Sequence, residues 1–220
     1  MKSEPNIEKT VYFVRHGQSE DNVAPVFQAP DSPLSEVGKK QAKVIANRVS
    51  KLSFEALLSS PFMRARQTAE AIAQATGKEP EYSDFFAEAR KPRSMSGKPV
   101  DDPKGGATWR QWQTSLYTSG ARTEDGENFD DLLLRVDRAL AYLKERKEKS
   151  LVVVTHGFFL RTLVGRVLLG GFLTGEVLKK FVSGSSTENT GLTVLRYNAR
   201  FEEGSDWRLW IYNDHAHLAE

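Results

Sequence analysis

Residues 10–22 of the chain read TVYFVRHGQSEDN. The apolar run 11–14 has the length and the β-branched and aromatic composition of a short buried strand. The run stops at Arg15-His16-Gly17, so a guanidinium and an imidazole follow it directly. The stretch therefore predicts a strand that either ends in solvent or delivers polar side chains to a site.

A second stretch, residues 151–157, repeats this arrangement as LVVVTHG. Its four apolar residues are typical of a central strand that is covered on both faces. His156 and Gly157 follow the strand, and a helix is predicted from there to about Leu169. Glycine lets the backbone turn tightly beside a ligand, and a helix N-terminus offers free N–H groups to an anion. Two such strand ends predict an anion pocket that contains both histidines.

Strands alternate with helices along the chain. Helices are predicted at about 35–51, 60–76, 109–117 and 127–149, and further strands at about 54–59, 82–86, 191–197 and 207–212. We expect Ser60 to be the N-cap of the second helix, Pro61 to lie in its first turn and Gly77 to end it. The alternation predicts an α/β fold, a three-layer α/β/α sandwich around a mostly parallel, mixed central sheet. In such sheets the site lies beyond the carboxyl ends of the strands.

The composition narrows the class of protein. The chain has 220 residues, of which 39% are hydrophobic, and this fits one domain over residues 1–220 with one sizeable core. The net charge is only +2, whereas nucleic-acid binding usually needs a strongly basic face. With no cysteine in the chain, zinc–thiolate sites and cysteine nucleophiles are excluded. The polar N-terminus and the lack of a long apolar run predict a cytoplasmic protein with no membrane partner.

Two arginines are expected near the predicted pocket. Arg15 precedes His16, and Arg64 lies in the first turn of the helix that Ser60 and Pro61 open, where a cation opposes the helix dipole. A solvated surface position would explain Arg64, but binding of an anion at the helix start is the sharper hypothesis. A guanidinium binds two phosphoryl oxygens at once, which lysine cannot do. Two arginines and two histidines around one pocket suit a dianionic phosphoryl group.

Five short motifs follow one another along the chain. They are Arg15-His16-Gly17-Gln18-Ser19 followed by Asn22; Leu34-Ser35 with Gly38, Gln41 and Ala42; Ser59-Ser60-Pro61 with Arg64, Ala65, Gln67, Thr68 and Ala69; Gly126-Glu127-Asn128 with Arg135; and Val153-Val154-Thr155-His156-Gly157. Together they resemble the histidine phosphatase superfamily, which includes cofactor-dependent phosphoglycerate mutases and many small phosphatases. The resemblance extends from about residue 10 to residue 197, and the ordered set is far more specific than any one motif.

The resemblance implies a phosphoryl transfer in which His16 attacks the phosphorus and becomes a phosphohistidine. Arg15, Arg64 and His156 would bind the phosphoryl oxygens and neutralise their charge as the transition state forms. Asn22 would add a hydrogen bond at the rim of the pocket.

Two further residues, Gly17 and Asn189, are candidates for the predicted pocket. Gly17 would let the backbone turn beside the phosphate. Asn189 precedes a late strand, near a position that often lines the pocket in the family, although a turn asparagine explains it equally well. No metal or other cofactor is implied, because the fixed cations neutralise the charge. His215 and His217 are interpreted as residues of a fraying terminus rather than as metal ligands.

The leaving alkoxide needs a proton, and Glu88 resembles the general acid of the family. A glutamate in this role must hold a proton near neutral pH, which a pocket closed to water favours, and it would then act as a base toward water. The glycine and tryptophan-glutamate pattern that usually follows this acid is missing, so Glu81 and Asp84 are kept as alternative donors. The structural alternative is a loop carboxylate that pairs with Arg90 or Arg93.

The segment of about 87–107 is predicted to be irregular and lid-like. Its cations would favour a substrate with negative charge beyond the phosphate, although a solvated loop explains them too; they are Arg90, Lys91, Arg93, Lys98 and Lys104. If it closes over the pocket, the segment would exclude water.

The sequence favours a metal-independent phosphatase that hydrolyses a phosphomonoester through a phosphohistidine on His16. The alternative is a cofactor-dependent phosphoglycerate mutase, but the substrate-binding pattern of those mutases is not visible in residues 89–92. A non-catalytic phosphate-binding or interaction domain is a second alternative, which the presence of both histidines and both arginines disfavours. The expected partner is a small phosphorylated substrate, and a homodimer is left open.

Overall fold

The computed structural model describes residues 8–199 and 206–218 of the chain. Six strands are present there: β1 Lys9–Arg15, β2 Ala56–Ser59, β3 Pro80–Tyr82, β4 Ser150–Thr155, β5 Leu192–Tyr197 and β6 Trp207–Asp214. They form one sheet in the order β3-β2-β4-β1-β5-β6. The first four strands pair in parallel, whereas β5 pairs antiparallel with both β1 and β6. The predicted mixed, mostly parallel sheet is confirmed.

Helices cover both faces of the sheet. Those in the described residues are α1 Glu20–Val23, α2 Glu36–Val49, α3 Met63–Thr76, α4 Pro103–Ser115, α5 Phe129–Glu145, α6 Gly157–Leu169 and α7 Gly175–Gly184. Helices α2 and α3 pack on one face, and α5 and α6 pack on the other. The predicted three layers are therefore present. None of the helices in the described residues is long and apolar enough to cross a lipid bilayer.

The central strand β4 shows why the sheet is buried on both sides. Val152 and Val154 pack with α2 and α3, whereas Leu151 and Val153 pack with α5 and α6, and all four side chains are fully buried. Each such side chain stabilises the fold by roughly 1.5–3 kcal/mol through the removal of apolar surface from water. The uninterrupted apolar run in the sequence is thus the signature of a strand between two helical layers.

The register of two neighbouring strands brings the histidines together. Strands β1 and β4 are adjacent and parallel, and Arg15 pairs with Thr155. His16 and His156 each follow one member of that pair, so both leave the same edge of the sheet at the same level. The expectation that the two strand ends meet is confirmed.

The structure corrects the predicted strand at about 82–86 and the predicted start of the second helix. The third strand ends at Tyr82, and residues 84–86 form a short 3-10 turn, in which the hydroxyl of Ser83 accepts from the N–H of Phe85. Helix α3 begins at Met63, and the N-cap is Phe62 rather than Ser60. The hydroxyl of Ser60 is engaged elsewhere, as described below. Gly77 ends the helix in the left-handed conformation, as predicted.

Two further helices differ from the sequence prediction. Helix α4 begins at Pro103 instead of about residue 109, because Asp102 caps it by accepting from the N–H of Gly105. The predicted irregular segment of about 87–107 therefore contains a 3-10 turn at 93–95 and the start of a helix. Helix α7 was not predicted at all. The lid function of residues of about 87–107 stays a prediction.

Candidate active site

His16 lies one residue beyond β1, and its side chain is almost fully buried. Its Nδ1 lies 2.6 Å from the carbonyl oxygen of Gly17, which can only accept, so Nδ1 carries a proton. The other ring nitrogen, Nε2, accepts from Nε of Arg64 at 3.2 Å. Burial, and after it the positive charges of Arg64 and Arg15, hold the pKa of His16 well below its usual value. The ring is therefore neutral, with a lone pair on Nε2, which is the form a nucleophile requires.

Arg64 sits in the first turn of α3 and is only 1% exposed, so the solvated surface position considered for it is wrong. Its Nη1 donates to the carbonyl oxygen of Ala29 at 3.0 Å, and its guanidinium carbon lies 5.3 Å from the ring centroid of Phe62. Burial lowers the pKa of Arg64 to about 10, so the side chain remains charged near neutral pH. Arg64 forms no ion pair with a carboxylate of the described residues, and a buried cation of this kind, beside an imidazole lone pair, is suited to holding an anion.

His156 is fully buried, and its ring centroid lies 4.9 Å from that of His16. Its Nε2 lies 2.7 Å from the hydroxyl oxygen of Ser60, which also accepts from the N–H of Phe62 at 3.2 Å. Among the described residues the hydroxyl proton of Ser60 has no other acceptor than Nε2. This assigns the ring proton of His156 to Nδ1, a buried atom with no partner in the described part of the chain. Burial, followed by the charge of Arg64, holds the pKa of His156 well below its usual value.

Arg15 is the last residue of β1, and its side chain turns toward the start of α6. Its Nη1 donates to the carbonyl oxygen of Thr187, and its Nε is buried without a partner in the described residues. A Cβ atom added to Gly157 would lie only 3.2 Å from that Nε, so glycine leaves room for the arginine beside the helix start. Burial lowers the pKa of Arg15. Two unpartnered buried donors, Arg15 Nε and His156 Nδ1, thus lie close to the nucleophile candidate.

Gly17 has a packing role that the sequence did not indicate. A Cβ atom there would lie 2.6 Å from the carbonyl oxygen of Gly38, so the loop after β1 lies directly on the backbone of α2. The N–H of Gly17 donates to the hydroxyl of Thr68 at 3.1 Å. That N–H is therefore used internally, and a contact between Gly17 and a phosphate stays a prediction.

Asn189 and Thr190 brace the end of β1. The amide nitrogen of Asn189 donates to the carbonyl oxygen of His16 at 2.9 Å, and the N–H of Thr190 donates to that of Arg15 at 2.9 Å. Thr190 has a positive φ of 61°, which is strained for a β-branched residue, and its hydroxyl lies 3.2 Å from Nε2 of His217. Asn189 thus contacts the nucleophile candidate through its backbone, and its predicted contact with phosphate stays a prediction.

Asn22 lies apart from the two histidines. Its side chain is exposed, and its Oδ1 accepts from the N–H of Ser19 at 3.0 Å. It lines a neighbouring cavity of about 400 Å³ together with Phe27 and Lys91. The hydrogen bond predicted for Asn22 at the rim of the phosphate pocket is not formed within the described residues, and it stays a prediction for the bound state.

Glu88 lies at the N-terminus of α6, the helix that follows His156. Its Oε1 accepts from the N–H groups of Phe159 at 2.8 Å and Ala89 at 3.0 Å, and its Oε2 accepts from the N–H of Phe158 at 3.1 Å. An anion at this end of a helix is stabilised by the dipole. The three donors fix the carboxylate at the start of α6, and Glu88 also lines the cavity described below.

The alternative interpretations of the acidic residues fail. Glu88 pairs with neither Arg90 nor Arg93, because Arg90 contacts Asp84 at 3.2 Å and Arg93 contacts Asp125 at 3.0 Å.

The alternative donor Glu81 is held by both terminal nitrogens of Arg146, at 2.6 and 2.8 Å. Neither it nor Asp84 lines the cavity that contains Glu88. The geometry therefore favours Glu88 over both alternatives.

Arg135 is a residue whose role the sequence did not reveal. It forms a nearly buried ion pair with Glu127, with both contacts at 2.7 Å. It also donates to the carbonyl oxygens of Phe85 at 3.2 Å, Ala87 at 2.7 Å and Glu88 at 3.4 Å. Arg135 thus fastens the loop that carries Glu88. Glu127 and Arg135 were visible as parts of a motif, but only the fold shows what the pair holds.

His215 and His217 do not build a metal site. Nδ1 of His217 lies 2.9 Å from Nη1 of Arg48, a residue that also contacts Asp214. Across residues 8–199 and 206–218, no three histidine, aspartate or glutamate side chains come together as metal ligands would.

A cavity of about 380 Å³ is lined by two of the candidate residues, Arg64 and Glu88. Arg64 and Glu88 lie on its wall, next to the apolar side chain of Phe62 and to Lys91. It is large enough for the alcohol part of a small phosphate ester. The arrangement therefore provides a neutral imidazole, buried cations, a carboxylate and an adjoining space for a leaving group.

Comparisons with known proteins identify the family. A family model described as "Histidine phosphatase superfamily (branch 1)" matches residues 11–209. The chain is 35% identical over 164 residues to a "Probable phosphoglycerate mutase GpmB" from Photorhabdus laumondii, with 72% of this chain and 74% of the relative covered.

Two solved structures share the fold. A structure described as that of a putative alpha-ribazole-5'-P phosphatase from Escherichia coli has a TM-score of 0.76 at 20% identity, with 94% of this chain and 96% of that chain covered. A mycobacterial glucosyl-3-phosphoglycerate phosphatase complexed with VO3 has a TM-score of 0.70 at 25% identity, with 94% and 99% covered.

Proposed function

Because this chain belongs to the histidine phosphatase superfamily (branch 1), we propose that it is a phosphatase that hydrolyses a phosphomonoester through a phosphohistidine on His16. One observation carries the proposal. Nδ1 of His16 donates to a carbonyl, so the lone pair is on Nε2, and Nε2 faces the guanidinium of Arg64 at 3.2 Å. A bound phosphoryl group would accept from the donors of Arg64 and so release the lone pair of Nε2 for attack.

The first half-reaction forms a bond between Nε2 of His16 and phosphorus. The bond between phosphorus and the ester oxygen breaks, and the leaving oxygen takes a proton from Glu88. Glu88 must enter this step as the carboxylic acid, although its three N–H contacts favour the carboxylate. Arg15, Arg64 and Nδ1 of His156 would stabilise the charge on the three equatorial oxygens, because they are fixed before the substrate arrives.

The second half-reaction returns the enzyme to its starting state. Glu88, now a carboxylate, takes a proton from water, whose oxygen attacks phosphorus. The bond between phosphorus and Nε2 breaks, and inorganic phosphate leaves. The carboxylate lies on the wall of the cavity that the alcohol product vacates, which supports its contact with incoming water.

The alternative is a phosphoglycerate mutase, which the printed name of the Photorhabdus relative favours. A mutase would use the same residues but would return the phosphoryl group to the substrate instead of to water. The phosphatase names of the two solved structures favour hydrolysis. A non-catalytic binding domain is disfavoured, because a catalytically idle protein has no need of a buried neutral histidine beside a proton donor.

The test compares phosphate release and isomerisation in one set of proteins. Wild type should hydrolyse 4-nitrophenyl phosphate, His16→Ala should lose that activity, and His215→Ala, a change at an exposed histidine, should keep it. Incubation with phosphoglycerate, with and without a bisphosphoglycerate primer, should release phosphate and yield no isomer. Primer-dependent isomerisation would show that the protein is a mutase. Hydrolysis retained in His16→Ala would contradict both the phosphatase and the mutase hypotheses.

A further inference from the structure

The cavity beside Glu88 must hold whatever the phosphoryl group is attached to. A phosphoryl group on Nε2 of His16 lies against Arg64, and Glu88 would protonate the ester oxygen. Both Arg64 and Glu88 line the cavity, so the alcohol part of the ester extends into it. The other side chains that line the cavity therefore decide which alcohols are accepted.

The rest of the cavity lining carries three cations, and two of them already form ion pairs. Arg90 pairs with Asp84, and Arg93 pairs with Asp125 while its side chain remains 94% exposed. Lys91 forms no ion pair with any described residue. Its ammonium donates to a single group, the carbonyl oxygen of Gln28, at 3.1 Å. An ammonium has three donors, so two are left for a ligand.

The surroundings of Lys91 make an unpaired ammonium unfavourable. The side chain is half-buried, and its Nζ lies 6.0 Å from the ring centroid of Trp112. Burial lowers the pKa of Lys91 to about 8, although the charges of Glu88 and Asp21 act in the other direction. A cation that is removed from water without a hydrogen-bonded counterion destabilises the free protein. An anion that entered the cavity would relieve this cost.

The spacing between Lys91 and the phosphate site can be bounded from the loop that holds both cations. Lys91 donates to the carbonyl of Gln28, and Arg64 donates to the carbonyl of the next residue, Ala29, at 3.0 Å. Consecutive Cα atoms are about 3.8 Å apart. The ammonium of Lys91 and the guanidinium of Arg64 are therefore separated by about 10 Å or less. The loop itself is fixed, because Asp21 accepts from the N–H of Ala29 at 2.8 Å.

We propose that Lys91 binds a second anionic group of the substrate, a carboxylate or a further phosphate placed a few atoms from the ester oxygen. The inference rests on the proposed phosphatase function and deepens it by naming the substrate class, a short phosphomonoester with a dianionic phosphate at one end and an anion at the other. A neutral alcohol leaves Lys91 unpaired in the complex and is the poorer substrate.

Three probes on one three-carbon skeleton test this proposal. Glycerol 3-phosphate, 3-phosphoglycerate and glycerol 1,3-bisphosphate end in a hydroxymethyl group, a carboxylate and a phosphate respectively. The rate of phosphate release gives kcat/KM for each in wild type, in Lys91→Met, which keeps the length of the side chain, and in Lys98→Met. Lys98 is exposed in the same segment and lines neither cavity described above, so it is the matched control.

We expect wild type to prefer at least one anionic probe over glycerol 3-phosphate by about tenfold or more, as a charge-assisted hydrogen bond provides. The preference should fall toward one in Lys91→Met and persist in Lys98→Met. The carboxylate and phosphate probes show which anion fits. A ratio near one in wild type for both anionic probes, or an undiminished ratio in Lys91→Met, would overturn the proposal.

A binding measurement separates this proposal from the proposed function. Calorimetric titration of the three probes into His16→Asn measures affinity without turnover, alone and combined with Lys91→Met. An anion preference that depends on Lys91 supports the second site even if wild type hydrolyses none of the probes, in which case only the phosphatase function fails. Equal affinity for charged and neutral probes counts against the Lys91 site whatever the enzyme hydrolyses.

Discussion

Nε of Arg64 donates to Nε2 of His16 at 3.2 Å, so the catalytic nitrogen candidate is capped by the group that would bind its substrate. The contact holds the imidazole in one tautomer together with the bond from Nδ1 to the carbonyl of Gly17. It also places a fixed positive charge next to the position that a phosphoryl oxygen takes during attack. The fold creates this contact, because Arg64 lies at the start of α3 and His16 directly follows β1.

Arg64→Met should lower kcat for aryl phosphate hydrolysis by about 10²–10³-fold, the usual effect of removing one donor to a developing charge. Arg64→Lys keeps the charge but loses the planar pair of donors, so it should recover only part of that rate. Stopped assays at saturating substrate measure both variants. Arg66→Met is the control, since Arg66 lies over the ring of Tyr82 on another face of α3. Equal rates in wild type and Arg64→Met would contradict the assigned role.

Ser60→Ala should weaken the binding of vanadate by about tenfold, because the tautomer of His156 would no longer be fixed and one charge-assisted donor would be lost. Inhibition constants for vanadate provide the measurement. Ser59→Ala is a matched control, because Ser59 is equally buried but its hydroxyl donates to the carbonyl of Ser60 and contacts no histidine. Similar losses in the two variants would show that burial of a hydroxyl, rather than the tautomer, matters.

Arg135→Met should destabilise the protein by about 3–5 kcal/mol, because it leaves Glu127 as an unpaired, nearly buried charge. Arg122→Met breaks an exposed pair with Asp131 and should cost less than about 1 kcal/mol. Denaturant unfolding measures both. At temperatures where Arg135→Met remains folded, kcat should fall more than KM rises, because the loop that positions Glu88 is released. An unchanged kcat would show that Arg135 does not position Glu88, the proposed proton donor.

Stability should fall as the pH is lowered below about 6.5, the usual histidine pKa, because the unfolded chain then binds protons that buried His16 and His156 refuse. Each histidine contributes up to about 1.4 kcal/mol per pH unit until its lowered folded-state pKa is reached. Unfolding free energies between about pH 5 and 7.5 give the slope. His16→Asn should flatten it, whereas His215→Asn should not, and equal slopes in all three proteins would contradict the burial effect.

The sequence predicted the parts of the fold that depend on continuous local patterns. The apolar runs 11–14 and 151–154 are long enough to identify buried strands, and a histidine and a glycine at the end of each predicted that the two ends share a site. Strand β3 was misplaced because it has only three residues, two of them exposed, so it carries little hydrophobic pattern. Helix α7 buries only Leu178 and has glycine at both ends, which hides it from the same reasoning.

The features of the site that the sequence could not provide all depend on tertiary contacts. Ser60 has the composition of an N-cap, but its hydroxyl is used by His156, and the helix begins three residues later. Lys91 is one of five cations in its segment, and only the structure shows that it lines the cavity while its neighbours there, Arg90 and Arg93, form ion pairs. The role of Arg135 likewise required knowledge of which carbonyl groups face it.

The proposed mechanism requires transfer of the phosphoryl group to Nε2 of His16. Wild type mixed rapidly with a phosphomonoester and quenched in alkali, which preserves phosphohistidine, can be examined by 31P NMR and by tandem mass spectrometry of its peptides. We expect one phosphorylated residue, His16, with a 31P resonance of the Nε2-linked isomer that disappears in His16→Asn. Phosphate on another residue, the Nδ1-linked isomer, or turnover with no phosphoenzyme at all would contradict it.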